Sequence, residues 1–215
     1  MGRSPTGAGR RKLKRRPQRR RYLLACEGDK EVDYFKYLGK RMGGAVVLRP
    51  LRRWSDPGHV VELASQERDA DRRAAREAGD PFDVYDGVWA VVDIDTHSHL
   101  LDAVADAARA GIEVAVSGPC FETWLILHLE DRTAAFSTSK DAKDRWAQLV
   151  TPGRTAAQEF GQLAGKAAKA IDRANALMQR HARNQIPRHQ RNPSSEVGAV
   201  IATICAETRV DPRDL

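Results

Sequence analysis

The sequence predicts an α/β fold, a parallel β-sheet flanked by helices with a C-terminal helical extension. Two observations carry that prediction. Between residues 21 and 129, short apolar runs alternate with longer amphipathic stretches, the order of parallel βαβ units with right-handed crossovers. From Ser137 onward only helical patterns recur, and no internal repeat is present. The expected organisation is a basic tail over 1–20, disordered when free, an α/β core over 21–132, and a helical region over 133–215 packed on that core.

Each element has its own signal. Residues 21–26 (RYLLAC) suit a buried strand that ends at Glu27-Gly28-Asp29. Residues 30–41 follow with Val32, Phe35, Tyr37 and Leu38 at roughly helical spacing, and Gly43-Gly44 stops that helix. Residues 45–51 (AVVLRPL) read as a second strand that ends or lies at an edge, because Pro50 has no N–H to give a ladder. Residues 59–78 carry a weak apolar stripe (Val60, Leu63, Ala64, Ala70) and read as an amphipathic helix. The clearest strand is 88–92 (VWAVV), closed by Asp93. A helix over about 99–110, stopped by Gly111, leads to a strand at 112–116 (IEVAV), then to Ser117-Gly118-Pro119 and a helix at 121–129. Three later helices are expected, over about 140–150, over about 155–182, and from Val197 on, the last capped by a serine of Asn192-Pro193-Ser194-Ser195. Residues 184–192 between the last two read as a polar, basic loop.

The charge is unevenly spread. Of the 36 Lys and Arg, ten lie within residues 1–21, which hold no acid; the rest of the chain carries 26 against 29 acids, a net −3. Arg15, Arg16, Arg19 and Arg20 are the tail's nucleic-acid-binding candidates, since such a tail can neutralise phosphates without reading sequence. Its position before the first strand would deliver nucleic acid near whatever that strand displays; a solubilising extension is the other reading. No apolar run approaches the roughly 20 residues a bilayer requires and no secretory h-region is present, so a cytoplasmic protein without a membrane partner is expected. Cys26, Cys120 and Cys205 are too far apart for a zinc site and read as small buried hydrophobes.

In an open α/β sheet, ligands bind outside the carboxyl ends of the strands. Glu27 closes the first apolar strand, Asp93-Ile94-Asp95 closes the strand at 88–92, and Glu122 follows the strand at 112–116. If the strands are parallel, these acids share one crevice. In extended backbone Asp93 and Asp95 project the same way while Ile94 points to the core. Carboxylates held so close repel unless a cation lies between them, and Mg²⁺ or Mn²⁺ is the usual choice. Glu27, Asp93 and Asp95 are therefore the metal-ligating and catalytic candidates, with Glu27 alternatively a general base. Glu31, His97, Glu122 and Lys166 are further candidates. Each also has an ordinary explanation: first-turn acids favoured by the helix dipole, a solvated loop histidine, a charged helical face. Trp89, Phe121 and Trp124 read as core aromatics, and neither Cys26 nor Cys120 has a His–acid relay that would make it a nucleophile.

The segments LLACEGDKEVDYF (23–35), VWAVVDIDTH (88–97) and VSGPCFETWLILHL (116–129), with NPSSEV (192–197), resemble RloB-like (AbiLii-type) proteins over about residues 21–205. The first two also match the broader Toprim pattern, a strand-end Glu-Gly and a later strand-end DxD, shared with topoisomerases, bacterial primases and OLD-type nucleases. The resemblance implies a Toprim-like core, a role in bacterial defence against phage or foreign DNA, and an ATPase partner of the ABC/SMC-like type. It implies Glu27 as the catalytic glutamate, Asp93 and Asp95 as metal ligands, Glu31 as the second glutamate of an EGxxE form, and Glu122 as the glutamate of the PCFExW segment. Where family members commonly carry EGxxTE, this chain reads EGDKE, one residue shorter. The expected function is a metal-dependent nuclease acting on RNA such as tRNA, or on DNA, as an abortive-infection effector. The alternative is a non-catalytic nucleic-acid-binding or sensor subunit. A HAD-type phosphohydrolase fits poorly, because its DxD follows the first strand.

Overall fold

The computed structural model describes residues 19–52, 56–80, 82–94, 99–151, 153 and 155–215. Four parallel strands carry the sheet: β1 (Arg20–Cys26), β2 (Val46–Arg52), β3 (Gly87–Asp93) and β4 (Glu113–Gly118). A two-residue strand, β5 (Ser194–Ser195), pairs antiparallel with the end of β4, giving the order β2-β1-β3-β4-β5. The fold class is the predicted one, α/β with a mostly parallel sheet. Pro50 lies on β2 opposite Leu24, and β2 is an edge strand, where a missing N–H costs no ladder bond on its outer side.

Helices cover both faces: α1 (Asp29–Arg41), α2 (Pro57–Glu77), α3 (Leu100–Ala110), α4 (Glu122–Leu129), α5 (Ser139–Leu149), α6 (Ala156–Phe160), α7 (Ala167–Arg183) and α8 (Val197–Thr208). Side chains alternate along each strand, so two apolar clusters form. Tyr22, Leu24 and Cys26 of β1 join Trp89 and Val91 of β3 in a cluster with α1, α4, α5, α7 and α8. Ala25, Ala90, Val92 and Val116 join α2 and α3 on the other face. Burial on both sides explains why β1 reads as a continuous apolar run rather than an alternating one. All three cysteines are buried and free.

Local chemistry sets the helix starts. Asp56 Oδ1 accepts from the Gly58 and His59 amides at 3.0 and 3.3 Å, and Pro57 occupies the first turn of α2, where no N–H is needed. Thr138 and Asp141 form a reciprocal capping box that fixes α5.

Two expected elements differ. The helix expected over 155–182 is broken: α6 ends at Phe160, a 3₁₀ turn spans Gly161–Leu163, and α7 restarts at Ala167 after Gly165, whose φ of +74° favours glycine. The break lets Phe160 and Leu163 both reach the core. Residues 194–195, expected to supply a capping serine, form β5, and Ser195 Oγ still accepts from the Val197 amide at 3.3 Å.

Candidate functional site

β1 lies between β2 and β3, and the chain leaves it one way to β2 and returns on the other side to β3. That makes the β1/β3 seam the switch point at which open α/β sheets bind ligands. Glu27 follows β1 and Asp93 closes β3; Glu27 Oε2 accepts the Asp93 amide proton at 3.1 Å. Asp93 has the parity of Trp89 and Val91, so it projects onto the face covered by α1 and α4. There it meets Glu31 from the first turn of α1 and Glu122 from the first turn of α4. Glu31 folds back over Gly28, its Oε2 2.6 Å from where a Cβ would stand, so glycine at 28 makes room for the carboxylate.

Five carboxylates thus line an open cleft of about 250 Å³, Glu27, Asp29, Glu31, Asp93 and Glu122, with three cations, Lys30, Arg52 and Lys143. Asp93 Oδ1 is buried with no hydrogen-bond partner among the described residues. Burial, reinforced by Glu31, Glu27 and Glu122, holds the Asp93 carboxyl well above the usual range, against a hydrogen bond from the Phe121 amide. Burial also pushes Glu31 up to about 7, with Glu122 and Glu27 adding, while its own backbone hydrogen bond and the Lys143 charge oppose. The rim cations have defined settings. Lys30 pairs with Glu159 at 2.7 Å, and Arg52 reaches both oxygens of Asp29 while its Nε donates to the Glu27 carbonyl at 3.3 Å.

Among the described residues, no group of three or more His, Cys, Asp or Glu is already arranged to hold a metal ion. The donor chemistry nevertheless fits a hard divalent cation: hard oxygen donors, mutual repulsion, and a buried carboxylate oxygen with no partner among the described residues. Asp95 and His97 lie outside the described residues, as do Arg15 and Arg16. Lys166 is not brought to the cleft; its Nζ donates to the Gln162 carbonyl at 2.7 Å at the start of α7. Arg19 and Arg20 lie at the opposite end of β1 from Glu27, where Arg20 pairs with Asp86 at 2.7 Å. Seven residues of strand, roughly 20 Å, separate that end from the acids.

A larger cleft of about 360 Å³ opens between the outer edge of β4 and helices α7 and α8. Its charged groups are paired with immediate neighbours, Glu113 with the Trp89 indole N–H and Glu196 with Arg188, so the acid cleft at the switch point is the better chemical site. Sequence reasoning did not single out Lys30, Arg52 or Lys143 as site residues. Ala142 and Trp146 mark the buried face of α5, but only the tertiary packing places Lys143 beside Glu31.

Fold and site together define an α/β protein with an acidic cleft at the switch point of a parallel sheet. Over residues 22–204 the chain matches the RloB-like protein family, and it belongs to that family. No curated protein and no solved structure matches it. The family-like segments have plain structural roles here. At Gly118 a side chain would run into the Arg191 carbonyl and Ile94. In the NPSSEV segment, the Glu196 carboxylate accepts from the Val116 amide at 3.0 Å and its own amide donates to the Val116 carbonyl at 2.9 Å. Arg188, paired with Glu196, donates to the Val114 carbonyl at 2.7 Å. Together they cover the outer edge of β4.

Proposed function

We propose that this chain is a metal-dependent nuclease with a Toprim-like core, hydrolysing a phosphodiester in RNA such as tRNA, or in DNA. It would act in the cytoplasm as an anti-phage, abortive-infection effector, with an ABC/SMC-like ATPase as partner. The observation that carries the reading is the buried, unpartnered Asp93 Oδ1 among the carboxylates of Glu27, Glu31 and Glu122 at the switch point. Glu27, Asp93 and Asp95 would hold the metal. When bound, Mg²⁺ or Mn²⁺ supplies a charge that polarises the scissile phosphate and acidifies water. The chain's own groups do the rest. Glu27 fixes the Asp93 backbone through its amide. Glu31, protonating near neutrality, is placed to accept or return a proton in the cleft. The N-terminal turns of α1 and α4 direct their positive dipole ends at the same cleft and favour anions there.

A second reading is a non-catalytic nucleic-acid-binding or sensor subunit. One experiment separates them. Wild type and the Asp93→Ala/Asp95→Ala double variant are assayed, with and without the neighbouring ATPase, for Mg²⁺- or Mn²⁺-dependent cleavage of plasmid DNA and total tRNA. The nuclease reading expects cleavage by wild type alone. Equal activity in both proteins contradicts the catalytic assignment, and binding without cleavage in either supports the second reading.

A further inference from the structure

The segment from residue 179 to 195 contains Arg180, Arg183, Arg188 and Arg191 with His181 and His189, and no acid. Three of these arginines have no carboxylate partner among the described residues. Arg180 donates to the Thr133 carbonyl at 3.2 Å, Arg191 Nε donates to the Ile186 carbonyl at 3.1 Å, and Arg183 is exposed. Arg188 is the exception, paired with Glu196. A fourth guanidinium comes from residues 132–136: Arg132 lies 4.4 Å over the Phe136 ring and donates to the Ala134 carbonyl at 2.9 Å, within reach of the charge of Glu130, a carboxylate itself paired with Arg145. The two segments are tied by Asn192, whose side chain bonds both the amide and the carbonyl of Phe136 at 3.1 and 2.8 Å.

A carbonyl contact fixes a guanidinium without cancelling its charge, so the planar forks stay free to take phosphate oxygens. The position of this patch matters as much as its charge. The Arg191 carbonyl packs on Gly118 at the end of β4, and Gly118 also touches Ile94, the residue directly after Asp93. The Arg191 backbone therefore lies at the same sheet edge that carries the acid cleft, with Arg132 and Arg180 tied to its segment through Phe136–Asn192 and Thr133, whereas Arg19 and Arg20 lie at the opposite end of β1.

We infer that Arg132, Arg180, Arg183 and Arg191 form a phosphate-tracking surface that lays a nucleic-acid backbone along the sheet edge towards the acid cleft. The choice of nucleic acid over an acidic protein rests on the phosphodiester chemistry proposed above. The surface presents forks rather than exposed aromatic rings, so it reads backbone and not base sequence.

The test uses the full chain in EDTA, so that nothing is cleaved, with a fluorescein-labelled DNA duplex and labelled total tRNA as probes. Affinity is followed by anisotropy across a salt series for wild type, Arg180→Gln/Arg183→Gln, and Arg76→Gln on α2 as a charge control elsewhere. The double variant should bind both probes on the order of tenfold more weakly, with a log–log salt slope shallower by about 2, while the control moves by less than half as much. A thermal melt shows whether the double variant is folded; if it is not, Arg183→Glu alone, at an exposed side chain, must weaken binding. An unchanged slope in a folded variant overturns the inference and leaves the nuclease reading standing. Loss of poly-L-glutamate binding with nucleic-acid binding intact also overturns it. Weakened binding by a chain that never cleaves supports the surface while removing the nuclease reading.

Discussion

Glu31 shows how much a single residue can reveal of a site. Its carboxyl is almost fully buried beside Glu27, Asp93 and Glu122, and burial pushes its pKa up from the usual 4.5 to about 7. A carboxyl with a raised folded pKa contributes stability that is complete below about pH 4.5 and is lost as pH climbs through 7. Metal-free protein in EDTA should therefore melt at a lower temperature at pH 8 than at pH 6. Glu31→Gln should remove part of that slope and stabilise the metal-free chain at pH 8 by on the order of 1–3 kcal/mol. Equal melting temperatures for wild type across this range would refute the buried, mutually repelling cluster. Lys143 should show the opposite sign: Lys143→Met removes the cation that opposes the Glu31 shift and should steepen the fall. Glu27 and Asp93 were legible in the sequence because each ends an apolar run, and strand ends in a parallel sheet must meet. Lys143 was not legible, because helical periodicity gives a residue's face and not its neighbour.

At the scale of elements, most of the strands and helices could be read from runs and stop signals. The failures have local causes. In residues 155–182, alanine-rich helical spacing outweighed Gly161 and Gly165, yet the left-handed φ at Gly165 turns the chain between the 3₁₀ turn and the start of α7. Gly165→Ala should cost about 1 kcal/mol in a denaturant melt, and a neutral result would argue against the break. β5 was missed because two serines carry no periodicity; they become a strand only because β4 has an open edge to offer. Gly118, beside that edge, has no room for a methyl between Arg191 and Ile94. Gly118→Ala should destabilise the fold by about 1–3 kcal/mol or more. An unchanged unfolding midpoint would show that the β4–β5 junction can yield.

At the scale of the molecule, strand order does the functional work. Placing β1 between β2 and β3 creates the switch point, and putting α1 and α4 on one face aims Glu31 and Glu122 at Asp93. Among the described residues, no helix is long and apolar enough to cross a membrane. The basic segment over 1–18 precedes β1 and is proposed to add affinity for nucleic acid. Deleting residues 1–18, and sparing Arg20 with its Asp86 partner, should weaken nucleic-acid binding and flatten its salt dependence. Unchanged affinity would leave the tail a solubilising extension. The central claim, a divalent-cation site at the switch point, is tested most directly by titrating the full chain with Mn²⁺ and following free Mn²⁺ by electron paramagnetic resonance. Wild type should bind the ion, and Asp93→Asn should bind it at least about tenfold more weakly. Equal binding by the two proteins, or none by wild type at millimolar Mn²⁺, would contradict the account.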